Sequence, residues 1–241
     1  MTQFDPGMIF DAVDVTGVVA NALLGGAVAR ARRFDIVGFT VLGVCSGLGG
    51  GVIRDVLLAS GLPVALTNPA YLPAAILASI AAYLLAVGRW TTRLLMVADV
   101  LALGCWAATG THKALGVGLA WLPAVLVGVL TAVGGGIIRD VLVARAPVVF
   151  GGNTLYASVA LVGSAEMLLM DQLGRPVVGM AISIMTCAAL GLVARWRGWT
   201  LPGAAQWNLR LPAVPSLSVR YVDTWRRHPG TPVDTDGPGA G

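Results

Sequence analysis

The chain has 241 residues, of which 56% are hydrophobic and only 12% charged, and its mean hydropathy is +0.80. Soluble domains carry about twice that charged fraction to keep their surface wet. A soluble fold of this composition would leave much apolar surface with little polar cover, which excludes that class. The formal net charge of +4 is no nucleic-acid signature, because the arginines stand mainly at the ends of apolar stretches and in the tail.

No basic residue precedes Arg30, while Asp5, Asp11 and Asp14 do, so the start lacks the positive region of a secretory signal. Hydropathy and punctuation then predict seven membrane spans, near 8–30, 34–59, 71–87, 94–110, 117–144, 154–170 and 177–194. Pro63 and Pro69 mark the loop before the third span, and Arg175-Pro176 the turn before the seventh. Cys45, Cys105 and Cys187 all fall inside apolar stretches, which reads as small apolar filling and not as a disulfide framework. His112 and His228 lie far apart, with no metal-ligand spacing, so no tightly bound metal is expected.

Basic residues in the short connections give an orientation. Arg30, Arg32, Arg33, Arg89, Arg93, Arg145, Arg195 and Arg197 fall on one side, and only Lys113 and Arg175 on the other. The positive-inside rule therefore places the N-terminus outside and the C-terminus in the cytoplasm. Trp196 and Trp199 beside the last arginines fit an interfacial anchor. From about Leu201 the composition turns to Pro, Gly, Asp, Thr and Arg, and the last dozen residues are expected to be disordered. Arg220, Arg226 and Arg227 there are either solvated or in contact with anionic lipid headgroups.

Laid on itself with a shift of 85 residues, the chain repeats without a gap. Gly49-Gly-Gly-Val-Ile-Arg-Asp-Val-Leu falls on Gly134-Gly-Gly-Ile-Ile-Arg-Asp-Val-Leu. At the same shift Asp14 falls on Asp99, Gly25 on Gly110, Gly43 on Gly128, Asn68 on Asn153 and Tyr71 on Tyr156. Each copy holds three predicted spans, an odd number, so the second copy must enter the membrane from the opposite side. The expected architecture is an all-α membrane protein: a short outer N-terminus (1–7), a first three-helix repeat (8–88), an inverted second repeat (93–173), a seventh helix (176–195) and a cytoplasmic polar tail (196–241).

The doubled Gly-Gly-Gly-x-x-Arg-Asp element is the sharpest motif. Each glycine costs roughly 1 kcal/mol against alanine in an ordinary helix. Close packing by small residues explains one or two of them. Three in a row, twice, also fit a kink at which carbonyls leave the helical ladder, tolerated at membrane depth only where backbone is buried or lines water. Ionisable groups inside spans point to function. Adjacent helix residues point in different directions, so Arg54 and Asp55 are not expected to pair. The topology instead predicts two clusters: Asp14 with Arg54 in the outer half and Asp99 with Arg139 in the inner half, Asp55 and Asp140 nearby. These either face a pore or hold the kinks together. No Ser-His-Asp arrangement, phosphate loop or HExxH pattern lies within the spans, so an enzyme is not expected.

The repeated glycine-arginine-aspartate element, the early aspartates and the following Asn…Tyr resemble the prokaryotic branch of the trimeric intracellular cation channel (TRIC) family, also known by a glycine-transporter name. The resemblance covers about residues 8 to 195. It implies a seven-helix fold, a symmetric homotrimer and a pore in each protomer. It further implies potassium-preferring, sodium-permeable conduction, with Gly49, Gly50, Gly51, Gly134, Gly135 and Gly136 as kinks along that pore. The tail beyond Leu201 is not part of the family pattern. The expected protein is thus a passive channel for potassium and sodium in a prokaryotic plasma membrane, without cofactors, whose partners are the bilayer and two further copies of itself. Ser46, Thr131, Asn68 and Asn153 are the uncharged polar candidates for replacing lost hydration. A small-solute, glycine-like carrier using the same repeats, and a scaffold whose tail recruits a partner, are the rival readings.

Overall fold

The structure, a computed structural model, describes residues 6–84, 89–150 and 155–200. These residues contain eight α-helices and one 3₁₀ turn, with no strand among them. They are α1 (Pro6–Ala31), α2 (Ile36–Leu58), the single turn α3 (Val64–Thr67), α4 (Tyr71–Leu84), α5 (Arg89–Gly116), α6 (Trp121–Leu142), α7 (Tyr156–Gln172) and α8 (Pro176–Arg197), with the 3₁₀ turn at Val148–Phe150.

Local chemistry sets the ends of these helices. The Asp35 carboxylate accepts from the Gly38 amide at 2.8 Å and caps α2, and Ala59 closes it in the left-handed region. Pro176 opens α8, where its missing N–H would be unpaired in any case, and Gly198 ends it with φ at 64°. Arg30 donates to the carbonyls of Ala82 and Tyr83 and so satisfies the free acceptors near the end of α4.

Five helices, α1, α2, α5, α6 and α8, are long and apolar enough to cross a bilayer. The described parts of α4 and α7 are shorter, at 14 and 17 residues, spanning about 21 and 26 Å against a hydrocarbon core of about 30 Å. Outward faces are largely apolar: Leu84, Met185, Val37, Val56 and Leu126 are each more than half exposed. A surface of that kind is stable only against lipid or another protein.

The repeat is visible in the packing. Helix α1 packs on α2 and α4, and α5 packs in the same way on α6 and α7. The two groups meet where α2 crosses α6 and α1 lies along α5. Helix α8 follows both copies and packs on α5 and α7. Helix α5 is therefore the centre of the molecule, and Val100, Leu103, Trp106, Ala107 and Ala108 are all essentially inaccessible.

Glycine makes the α2–α6 crossing close. A Cβ added to Gly50 would overlap the Thr131 carbonyl oxygen, and one added to Gly135 would overlap the Ser46 carbonyl oxygen. Because Ser46 and Thr131 are themselves equivalent in the repeat, the contact is reciprocal. Both triplets lie inside uninterrupted α-helix. This corrects the expectation that carbonyls leave the ladder there. The glycines are placed by the nearness of the opposite backbone, which accommodates no side chain.

Candidate functional site

The first charge cluster joins α1, α2 and α4. Arg54, from the last turn and a half of α2, is 1% exposed and points back towards α1. Its terminal nitrogen meets the Asp14 carboxylate at 3.2 Å, and its Nε donates to Asp55 at 2.8 Å. The Tyr71 hydroxyl, at the start of α4, donates to Asp14 at 2.9 Å. The second oxygen of Asp55 accepts from the Val64 amide at 2.8 Å, fixing α3 against the end of α2. One guanidinium is thus held between two carboxylates, each satisfied by a further donor, as burial of charge demands. Only about 10 Å³ of free space remains among Asp14, Gly51, Arg54, Tyr71 and Trp106, roughly the room of one water.

The expectation that Arg54 and Asp55 do not pair is therefore corrected. Their Cα–Cβ directions differ, but the arginine stem is long enough to lie along the helix. Asp14 draws the tip one way and leaves Nε facing Asp55.

The second cluster uses the equivalent positions but is wired differently. Tyr156 donates to Asp99 at 3.1 Å, as Tyr71 does to Asp14. The arginine on Asp99, however, is Arg195 of α8, which bonds the carboxylate through one terminal nitrogen and the Met96 carbonyl through the other, the latter at 2.9 Å. The expected pairing of Asp99 with Arg139 is corrected accordingly. Among the described residues Arg139 has a longer contact from Nε to Asp140, 3.4 Å, and Arg145 approaches the same carboxylate at 3.9 Å. Asp140 also accepts from the Val148 amide at 3.1 Å. Next to these groups opens a cavity of about 440 Å³, lined among others by Asp99, Gly136, Arg139, Asp140, Tyr156 and Arg195.

Ser46 and Thr131 are fully buried at the α2–α6 crossing and line neither cavity; the Thr131 hydroxyl donates to the Val127 carbonyl at 2.6 Å. Asn68 forms a turn, its side-chain oxygen accepting from the Ala70 amide at 3.0 Å. Asn153 lies outside the described residues. Of the triplets, Gly51 and Gly136 reach the cavities, while Gly49, Gly50, Gly134 and Gly135 face the opposite helix. His112 pairs with Asp171 at 2.6 Å and stacks on Phe10 with ring centroids 4.4 Å apart, away from both clusters.

Four participants escaped the sequence reading. Tyr71 and Tyr156 were visible as a repeated tyrosine, but nothing in the spacing tied them to the aspartates. Arg195 looked like an interfacial charge and belongs to no repeat. Trp106, 1% exposed with no hydrogen-bond partner for its indole N–H among the described residues, closes the first cluster from α5 and carried no signal.

The sequence pattern of the family described as Glycine transporter matches this chain twice, over residues 11–87 and 96–172. The chain belongs to that family, which includes the prokaryotic TRIC channels. The two matches are themselves offset by the same 85 residues as the internal repeat. A membrane protein of Deinococcus radiodurans called UPF0126 is 34% identical over 79% of this TRIC-family chain and 89% of its own length. The inner membrane protein YadS of Escherichia coli K12 is 30% identical over 83% and 93%. Among solved structures, one from work on conductance through TRIC cation channels superposes with a TM-score of 0.73 at 33% identity, over 81% of this chain and 97% of that one. The TRIC orthologue from Rhodobacter sphaeroides gives 0.72 at 28% identity, over 79% and 99%. The protein is therefore a multi-pass membrane protein of a membrane-transport family, with the fold of TRIC cation channels.

Proposed function

We propose that this protein conducts monovalent cations passively, potassium in preference to sodium. The reading gives it three identical protomers, each with its own path along the seam between the two repeats. The observation that carries the reading is the pair of equivalent Asp–Tyr–Arg clusters at opposite ends of the α2–α6 crossing, one of them beside a water-sized void and the other beside a vestibule of about 440 Å³. Gly51 and Gly136 adjoin these spaces, so the triplets contribute both a close seam and bare backbone at its two ends. The solved neighbours, TRIC cation channels, support the same class. Carboxylates at each end favour cations, and the arginines are compatible with that only while paired.

The reciprocal contacts, Gly50 on Thr131 and Gly135 on Ser46, are those of a two-fold relation between copies. They support inverted repeats within a seven-span topology, and the excess of arginines on one side supports an outer N-terminus, with the Asp14 cluster in the outer half and the Asp99 cluster in the inner half. We give the two repeats and the last helix bounds near 8–88, 93–173 and 176–195. We place the protein in a prokaryotic plasma membrane, as YadS is named an inner membrane protein.

One observation favours a second reading. Of two equivalent sites, one is shut and the other open, which is the appearance expected of a small-solute carrier, glycine-like in substrate, working by alternating access. Purified protein in liposomes separates the two. A potassium current at high unitary rate is expected; saturable glycine uptake without current would replace the channel by the carrier.

A further inference from the structure

We infer that Arg195 is a positioning residue that decides which of the two equivalent clusters stands open. The inference rests on the channel reading for its consequence in ion flow, but not for its geometry. The two clusters share Asp14 and Asp99, Tyr71 and Tyr156, Arg54 and Arg139, Asp55 and Asp140, and Gly51 and Gly136. Where the repeat arginine reaches its aspartate, as Arg54 reaches Asp14 at 3.2 Å, the space is closed to about 10 Å³. Where it does not, a cavity of about 440 Å³ lies in its place. Trp106, which fills the first cluster where the repeat has Asn21, is one difference between the two, and the other is a residue that neither repeat contains. Arg195 comes from α8, beyond both matched stretches, and it occupies the Asp99 carboxylate while anchoring on the Met96 carbonyl.

The electrostatics of the exchange are simple. A carboxylate already paired with one guanidinium attracts a second weakly, and the first repels the newcomer. Arg139 accordingly stays on its own helix with a long contact to Asp140, 12% exposed and lining the vestibule. With Arg195 gone, Asp99 loses its guanidinium and keeps the Tyr156 hydroxyl, and Arg139 takes the place that Arg54 holds in the other copy. The vestibule then closes as the first cluster is closed.

The test uses full-length protein in liposomes carrying Ile137→Cys, a vestibule-lining position, and a polar thiol reagent, with the unsubstituted chain as the background for native cysteines. Ile137→Cys should react readily. Adding Arg195→Gln should slow the reaction by about tenfold or more, as expected when an open state becomes a minor one. Adding Arg139→Gln to that variant should restore the rate. Unchanged labelling in Arg195→Gln, or no recovery in the double variant, overturns the inference. Should Arg195→Gln not assemble, an experimental structure of the wild-type protein decides: Arg195 on Asp99 beside an open vestibule supports it, and Arg139 on Asp99 beside an open vestibule overturns it. Potassium flux is read on the same liposomes. A labelling pattern as described without any flux would refute the channel reading and leave the arginine exchange standing.

Discussion

Arg54 is a guanidinium with 1% of its surface exposed, and its two carboxylates are almost as deeply buried. The triad is worth little as a net gain over an apolar filling, but removing one member strands the others in a medium that solvates charge poorly. Arg54→Gln or Asp14→Asn should therefore lower stability by about 3–5 kcal/mol, read as a fall in melting temperature in detergent. Tyr71→Phe removes one hydrogen bond to a charged group and should lose about 1.5–3 kcal/mol. An Arg54→Gln protein as stable as wild type would show that the cluster is solvated and not sealed. At this scale the sequence was informative about identity and poor about partners. Asp14, Arg54, Asp55, Asp99, Arg139 and Asp140 were all legible as charges inside apolar spans. Their pairing was inferred from the repeat alone, which describes both clusters equally. It therefore could not foresee that a helix outside the repeat would supply the arginine for Asp99.

At the scale of elements, each glycine triplet is an uninterrupted stretch of helix whose three positions have different surroundings. Gly50 and Gly135 face the opposite backbone, which cannot move aside as a side-chain tip can. Gly51 and Gly136 would meet nothing nearer than an arginine nitrogen at 3.6 Å. Alanine at Gly50 or Gly135 should thus force α2 and α6 apart, lowering the melting temperature markedly. Alanine at Gly51 or Gly136 should be tolerated, with up to about 1 kcal/mol gained in helix propensity. If all four variants melted alike, close contact would not be what these glycines serve. The doubled motif was plain in the sequence because glycine is rare at three successive helix positions. Which of the three touches a neighbour depends on the crossing geometry, and a one-dimensional pattern does not hold that information. The same limit explains the expected break: propensity favours one, but the packed partner keeps the helix intact.

Over the whole molecule, the described surface is apolar enough to need lipid or further copies around it. A mass in mild detergent close to three protomers is expected, and a stable monomer would remove the trimer from the proposal. Thr2→Cys should react with an impermeant reagent outside intact cells and not from within; the reverse result would turn the proposed topology over. The all-α class and the positions of the long apolar helices were legible from hydropathy and punctuation, since apolar length is a strong signal. The 17-residue length of α7 matches the predicted span, displaced by two residues, because the Leu173-Gly-Arg-Pro turn that ends it is plain in the sequence.

A seam in which Gly50 meets Thr131 while Gly135 meets Ser46 is the contact that two copies of one half-length chain would make with each other. In the proposed topology those copies would have to sit in the bilayer opposite ways up, which a separate small protein achieves only if its charged flanks favour neither orientation. Joining them end to end removes that requirement, and each half is then free to acquire its own flanking charges. It also removes the obligation to be alike. A homodimer cannot place an arginine on one aspartate without placing it on the other, so Arg195 on Asp99 alone is an asymmetry open only to the fused chain.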